Sequence, residues 1–365
     1  MADGTERQPR AYIGSFTSAG GRGITTAALD PDTGALTALH HTEDAVTNPS
    51  FLALSPGGGV LYAVSETDQG AAAAFSLDGP ARTGPDGPVP LGQTVSVAGA
   101  GPTHLAVAGR RLYTANYTSG SVTALPLRAD GSLGTRALTH QHHGRGPVAE
   151  RQEGPHAHAV VPDPSGQWLL CTDLGTDSVW IYDLRAPEAG LRLHREVPLR
   201  AGTGPRHLAF LADSREGGDA ARADVIHVVN ELESTVTTCR WHPGQGELEP
   251  LGETFLLPPE RAAVENHPSA PALSPDGRFA WVANRGDDSV TVLDLTSGEL
   301  PELVTTVPCG GHWPRDLAAH PTGRWLYAAN ERSGDVSWFE VDQGTGTPAL
   351  TGSLTAPAAS CVVFA

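Results

Sequence analysis

The chain has 365 residues and a net charge of −17, from 24 basic and 41 acidic residues, and it contains no lysine, so every fixed cation is an arginine. So acidic a chain repels phosphate backbones and anionic lipid, which argues against nucleic acid and membrane surfaces as partners. The missing lysine excludes Schiff-base and P-loop chemistry.

The first residues, MADGTERQPR, are polar and hold no apolar leader segment, and residues 1–9 are expected to be a disordered tail. Tyr12 to Thr17 (YIGSFT) then reads as the second strand of a hairpin with no first strand before it. From Asn48 onward one phrase recurs: a Pro, an apolar strand, often a turn, a second strand ending in Tyr-x-x-Asn or a relative, and an alternating third strand. Its copies begin NPSFLALSPGGGVLYAVSE, GPTHLAVAGRRLYTANY, GPHAHAVVPDPSGQWLLCTD, GPRHLAF with VIHVVNE, HPSAPALSPDGRFAWVANR and WPRDLAAHPTGRWLYAANE. With Leu52 as the first-strand marker, the equivalents are Leu105, His158, Leu208, Pro271 and Leu317, at steps of 53, 53, 50, 63 and 46 residues. The second-strand marker runs Ser65, Asn116, Thr172, Asn230, Asn284 and Asn330. The last stretch, Pro357 to Phe364 (PAASCVVF), is a first strand with no partner after it.

A period of roughly 40–50 residues built from short strands marks a β-propeller. Six complete copies and two complementary half-copies at the termini give an all-β, seven-bladed ring over residues 1–365, one blade being closed by N- and C-terminal strands. Closure removes the open sheet edges that invite aggregation. Only Pro259 to Val264 suggests a helical turn. The inserts Gly79 to Leu91 and Asp213 to Asp224 read as outer loops, the second at the rim away from the site. Cys171, Cys239, Cys309 and Cys361 are widely separated and lie in or beside strands, as small apolar fillers in a reducing compartment. No apolar run approaches the roughly 18 residues of a membrane span. The expectation is a cytoplasmic monomer.

In each repeat the start of the first strand and the end of the second share one rim, so seven such pairs meet at one mouth. The strand starts carry His156 and His158, Arg206 and His207, then Arg315 and Asp316; the strand ends carry Glu66, Asp173, Glu231, Arg285 and Glu331. His156 and His158 are two apart and so share a strand face. Glu331, Asp173, Asp316, His104 and His320 are read as structural. Two unbalanced arginines on the axis of an acidic protein call for an anion, and a histidine beside a carboxylate supplies a base near neutral pH. The segment His140 to Gln152 (HQHHGRGPVAERQ) leads into GPHAH and would hang over the mouth as a substrate-contacting loop.

The stretches YIGSFT, NPSFLALSP, ERQEGPHAHAVVPDPSG, GPRHLAF, VVNEL, LSPDGRFAWVANRGDDSV and CVVF span nearly the whole chain. Together they resemble the lactonase family of seven-bladed propellers, which includes 6-phosphogluconolactonases and the 3-carboxy-cis,cis-muconate lactonizing enzyme. The resemblance implies a catalytic set of His158, Arg206, Glu231 and Arg285 in the central channel, working without cofactor or metal. The implied reaction is hydrolysis of a sugar lactone, with 6-phosphogluconolactone as the implied substrate and His158 or Glu231 as base. His156, His207, Gln152, Arg151, Glu66 and Arg315 are the expected substrate-binding residues, for a small anionic lactone or carboxylate. The alternatives are a cyclising enzyme built from the same parts, a non-catalytic propeller that docks proteins, and a metal-dependent lactonase using His156, His158 and Glu231.

Overall fold

The computed structural model describes residues 9–78, 87–185, 191–211 and 224–365. Six four-stranded sheets and one five-stranded sheet account for its strands, and all the pairing is antiparallel, between chain neighbours except where Ala359–Phe364 joins Arg10–Ser15 and Val95–Ser96 joins Ala71–Ser76. The inner strands are Ala359–Phe364, Leu52–Leu54, Pro102–Ala108, Ala157–Pro162, Pro205–Phe210, His267–Leu273 and Pro314–Ala319. Each touches the next in that order and the last touches the first, so the sheets form a closed seven-bladed ring, numbered below from the blade of the termini. In blade one, Ala359–Phe364 pairs antiparallel with Arg10–Ser15, and the two half-repeats complete one another as expected.

The middle strands of the blades are buried on both faces, because blades stack on both sides of each sheet, while outer strands such as Leu36–Thr42 and Arg192–Pro198 are largely exposed. Seven apolar clusters fill the seven blade interfaces. Trp168, Leu170 and Ile181 of blade four meet Leu208, Ile226 and Trp241 of blade five. Ile13 and Val362 of blade one meet Trp325 and Trp338 of blade seven. Each fully buried large side chain contributes about 1.5–3 kcal/mol. All four cysteines are buried and free.

The repeated Asn is a clamp. Asn116, Asn230, Asn284 and Asn330 are fully buried, and each Nδ2 donates to side chains five and seven residues later on the third strand, as from Asn230 to Thr235 (2.9 Å) and Thr237 (2.8 Å). The register corrects one repeat. Asp173 pairs with Ser178 as Asn116 pairs with Ser121, so Asp173, and not Thr172, is the second-strand marker of blade four. Val160, and not His158, is then the equivalent of Leu105, each lying two pairs inside the marker.

The displacement has a local cause. In blades one, three, four, five, six and seven the ladder between first and second strands slips near the mouth, leaving Ser360, Thr103, His158, Arg206, Ser269 with Ala270, and Arg315 outside the pairing. Such bulges re-aim a side chain.

A short 3-10 helix at Pro259–Arg261 answers the expected turn, and a second at Thr17–Ala19 was not foreseen. The expected tail lies outside the described residues but for Pro9, as do the first part of the Gly79 insert and the insert beginning at Asp213, except for Asp224. Leu211 and Asp224, which flank the latter, sit at the strand ends away from Arg206 and Glu231. Among the described residues no helix is long and apolar enough to cross a membrane.

Candidate active site

Two rings of residues meet at the mouth. The first comprises the bulge residues, among them His158, Arg206 and Arg315. The second is the residue following each second-strand marker: Phe16, Glu66, Tyr117, Leu174, Glu231, Arg285 and Glu331. Asp173 therefore does not stand in the series with Glu231; Leu174 takes that place.

Glu231 is the hub. Its Oε1 accepts from Arg151 Nη2 at 2.6 Å, and its Oε2 lies 2.7 Å from Arg285 Nη2 and 3.0 Å from Arg206 Nε. The arginines have a carboxylate partner, but one carboxylate holds three guanidinium groups, so the excess of positive charge expected from the sequence remains. Burial would raise the Glu231 carboxyl, but Arg285, then Arg206 and Arg151, outweigh it and hold the group far below the usual carboxylate range. Arg206 is 2% exposed, and its Nη1 has no hydrogen-bond partner. Burial first, then Arg285, press its charge down while Glu231 sustains it; a guanidinium starts so far above neutrality that it stays charged. Arg285 Nε also donates to the His267 carbonyl at 2.9 Å, which fixes its fork.

His158 sits beside this cluster with its Nδ1 unpartnered. Its ring is 5.5 Å from Tyr117 and 5.2 Å from His207, both edge-on. Burial, followed by Arg206, Arg315 and Arg285, lowers its basicity well below that of free histidine, so it is a neutral imidazole at physiological pH. Burial, followed by Arg206, His158 and His104, keeps His207 neutral as well. His104 was read as structural, yet its ring lies 4.1 Å from Phe51 and 5.3 Å from His207 in the same channel wall, where burial lowers it to about 3. His156 stacks on Tyr117 at 4.5 Å and lies 3.3 Å from Glu153.

On the facing side Arg315 lies 3.3 Å from Glu331 and 3.6 Å from Glu66, with its guanidinium 4.7 Å over the Phe16 ring. Glu331 thus makes an ion pair with Arg315, as its structural reading expects, within the cluster that also holds Glu66. Asp316 accepts from the Val362 amide at 3.0 Å, in keeping with its structural reading, and burial raises its carboxyl to about 7 against the pull of that amide and of Arg206. Glu331 follows its second-strand marker as Glu231 does, and Arg315 aligns with Arg206 in the Pro-Arg-x-Leu pair of GPRHL and WPRDL.

The loop from His142 to His156 reaches the site through Arg151, but Gln152 does not. Gln152 is fully buried, its Nε2 donating to Leu174 O and Asp177 Oδ1 and its Oε1 accepting from Val148 N. It shapes the loop. His320 is a turn residue bonded to Thr322, as expected. Asp173 is structural as read: it accepts from His142 Nδ1 (2.6 Å) and from the amides of His156, Gly175 and Thr176. Among the described residues no group of three or more His, Cys, Asp or Glu side chains is placed to hold a metal ion. The surroundings of Glu231 are cationic, which is the wrong sign for a cation site.

A model of the family described as "Lactonase, 7-bladed beta-propeller" matches residues 10–364. The chain is 33% identical over 362 residues to the 6-phosphogluconolactonase of Bacillus subtilis, covering 97% of each chain. It is 28% identical over 349 residues to the 6-phosphogluconolactonase of Formosa agariphila, covering 92% and 93%. The solved structure of a periplasmic gluconolactonase from Pseudomonas aeruginosa superposes with a TM-score of 0.87 at 29% identity, covering 98% of both chains.

Proposed function

This chain belongs to the seven-bladed β-propeller lactonase family, and on that premise we propose that it hydrolyses a sugar lactone, with 6-phosphogluconolactone as substrate. The observation that carries the reading is the gathering of Arg151, Arg206 and Arg285 on one buried carboxylate beside a neutral imidazole.

In the reaction, water adds to the lactone carbonyl carbon and the carbonyl oxygen takes up negative charge. Arg285 and the free Nη1 of Arg206 face that charge, which a guanidinium fork meets with two donors. Contacts of this kind are typically worth about 3–4 kcal/mol in the transition state. His158 takes the water proton. The ring C–O bond then breaks, and the proton passes to the departing ring oxygen, giving the open hydroxy acid. Its carboxylic proton goes to solvent. Glu231 suits the base role poorly, because both its oxygens are bound to arginines and its charge is strongly stabilised. It sets the guanidinium positions instead. An anion among the arginines would offset their charge and restore basicity to His158.

The test is turnover against phosphorylated and unphosphorylated aldonolactones and against a carboxymuconate. Lactone opening supports the reading, and ring closure of the muconate without lactone opening replaces it with the cyclising one. Arg285→Ala should lose about 100- to 1,000-fold in kcat with its melting cooperativity kept. Near-normal turnover in that variant removes Arg285 from the mechanism.

A further inference from the structure

The mouth is electrically two-sided. Around Glu231 three guanidinium groups share one carboxylate. Across the channel the ratio inverts: one guanidinium, Arg315, lies between two carboxylates, Glu66 and Glu331. The two halves are close enough for the Arg315 charge to act on His158, Arg206 and Arg285. Arg206, in the first half, is buried with its Nη1 unspent.

The second half is built differently from an anion site. Its ion pairs are loose, 3.3 and 3.6 Å, against 2.6 to 3.0 Å at Glu231. Glu66 also accepts from Ser50 Oγ, which fixes its carboxylate, while among the described residues Glu331 is held through Oε2 alone. The three charged side chains keep 18 to 22% of their surface open to the channel, so a small molecule can reach them. Phe16 supports the Arg315 guanidinium from below at 4.7 Å. Two carboxylates repel a phosphate or carboxylate but have lone pairs for O–H donors, and Arg315 can donate to hydroxyl oxygens.

Resting on the lactonase reading above, we infer that Glu66, Arg315 and Glu331 form a hydroxyl-recognition subsite that takes the polyol part of an aldonolactone while its charged or reacting end lies among Arg151, Arg206 and Arg285. These residues would then set specificity for hydroxyl-bearing lactones. A hydrogen bond from a hydroxyl to a charged partner is worth roughly 10- to 100-fold in binding, and a site built for a hydroxyl strongly rejects the analogue that lacks it.

The test uses 6-phosphogluconolactone and its monodeoxy analogues, with kcat and KM measured for the wild type, Glu66→Gln and Glu331→Gln, each checked for an unchanged melting transition. The wild type should lose at least about 10-fold in kcat/KM on at least one deoxy analogue. In each Gln variant KM for the full substrate should rise by a similar factor, with kcat much less affected, and the preference over that analogue should shrink to within about 3-fold. Variants that discriminate as the wild type does, or that lose kcat at constant KM, overturn the subsite and leave the lactonase reading intact. A wild type inert on every lactone removes both.

Discussion

Asp316 shows how a single residue departs from its unfolded chemistry. Its Oδ2 accepts from the Val362 amide at 3.0 Å, yet burial outweighs that bond and raises the carboxyl from 3.8 to about 7. The folded protein therefore retains a proton that the unfolded chain gives up between those two values. By linkage, the corresponding stability is fully present below about pH 4 and is lost as pH rises through about 7. Asp316→Asn keeps an acceptor for Val362 and has no charge to bury. Its melting temperature should match the wild type near pH 4 and exceed it increasingly up to about pH 8; a pH-independent difference would refute this origin. The position was legible only as one of the polar residues at strand starts. Nothing in WPRDL distinguishes a carboxylate in a solvated turn from one packed against the inner strand of the next blade, because the desolvation comes from other blades.

At the scale of elements, the turn between Trp168–Asp173 and Ser178–Asp183 organises two loops that carry arginines. Asp177 accepts from Gln152 Nε2 (2.7 Å) and from the amides of Gly202 (2.7 Å) and Gly204 (2.8 Å). The first contact fixes the loop beside Arg151 and the other two fix the approach to Arg206. Asp173 ties the ends of the first loop through His142 and His156. Asp177→Ala leaves several buried donors unpaired, at about 1–3 kcal/mol each, and should lower kcat/KM about 10-fold or more as Arg151 and Arg206 drift. In a double-mutant cycle Gln152→Ala and Arg151→Ala should be strongly non-additive in kcat/KM, since both remove the same guanidinium from Glu231; additive losses would show that Gln152 acts elsewhere. Sequence reading placed this loop over the mouth correctly from its polarity and position, but assigned Gln152 to substrate, because a Gln next to an active Arg looks the same whether its amide faces solvent or backbone. The bulges were hidden for a similar reason: one extra residue in a strand leaves composition unchanged while turning a side chain from the blade to the axis.

For the whole molecule, stability rests on closure. Ala359–Phe364 gives blade one its inner strand, with Ala359 and Val362 in the interface with blade seven and Cys361 in that with blade two. Truncation after Pro357 removes these contacts and bares the edge of Arg10–Ser15. The cost is several kcal/mol out of a total of about 5–15, and light scattering with thermal denaturation should show aggregation in place of one cooperative transition. The ring, its seven blades and its closure by the termini were readable from the chain alone, since each repeat must bury both sheet faces against a copy of itself and the period records that need. So was the choice of His158, Arg206, Glu231 and Arg285 as a converging set. Which arginines share which carboxylate, that Glu331 pairs with Arg315 beside Glu66, and that both oxygens of Glu231 are bound to arginines were decided only in three dimensions. Charge pairing and desolvation depend on distances between blades that lie some 50 residues or more apart in sequence, and local pattern carries no information about those distances.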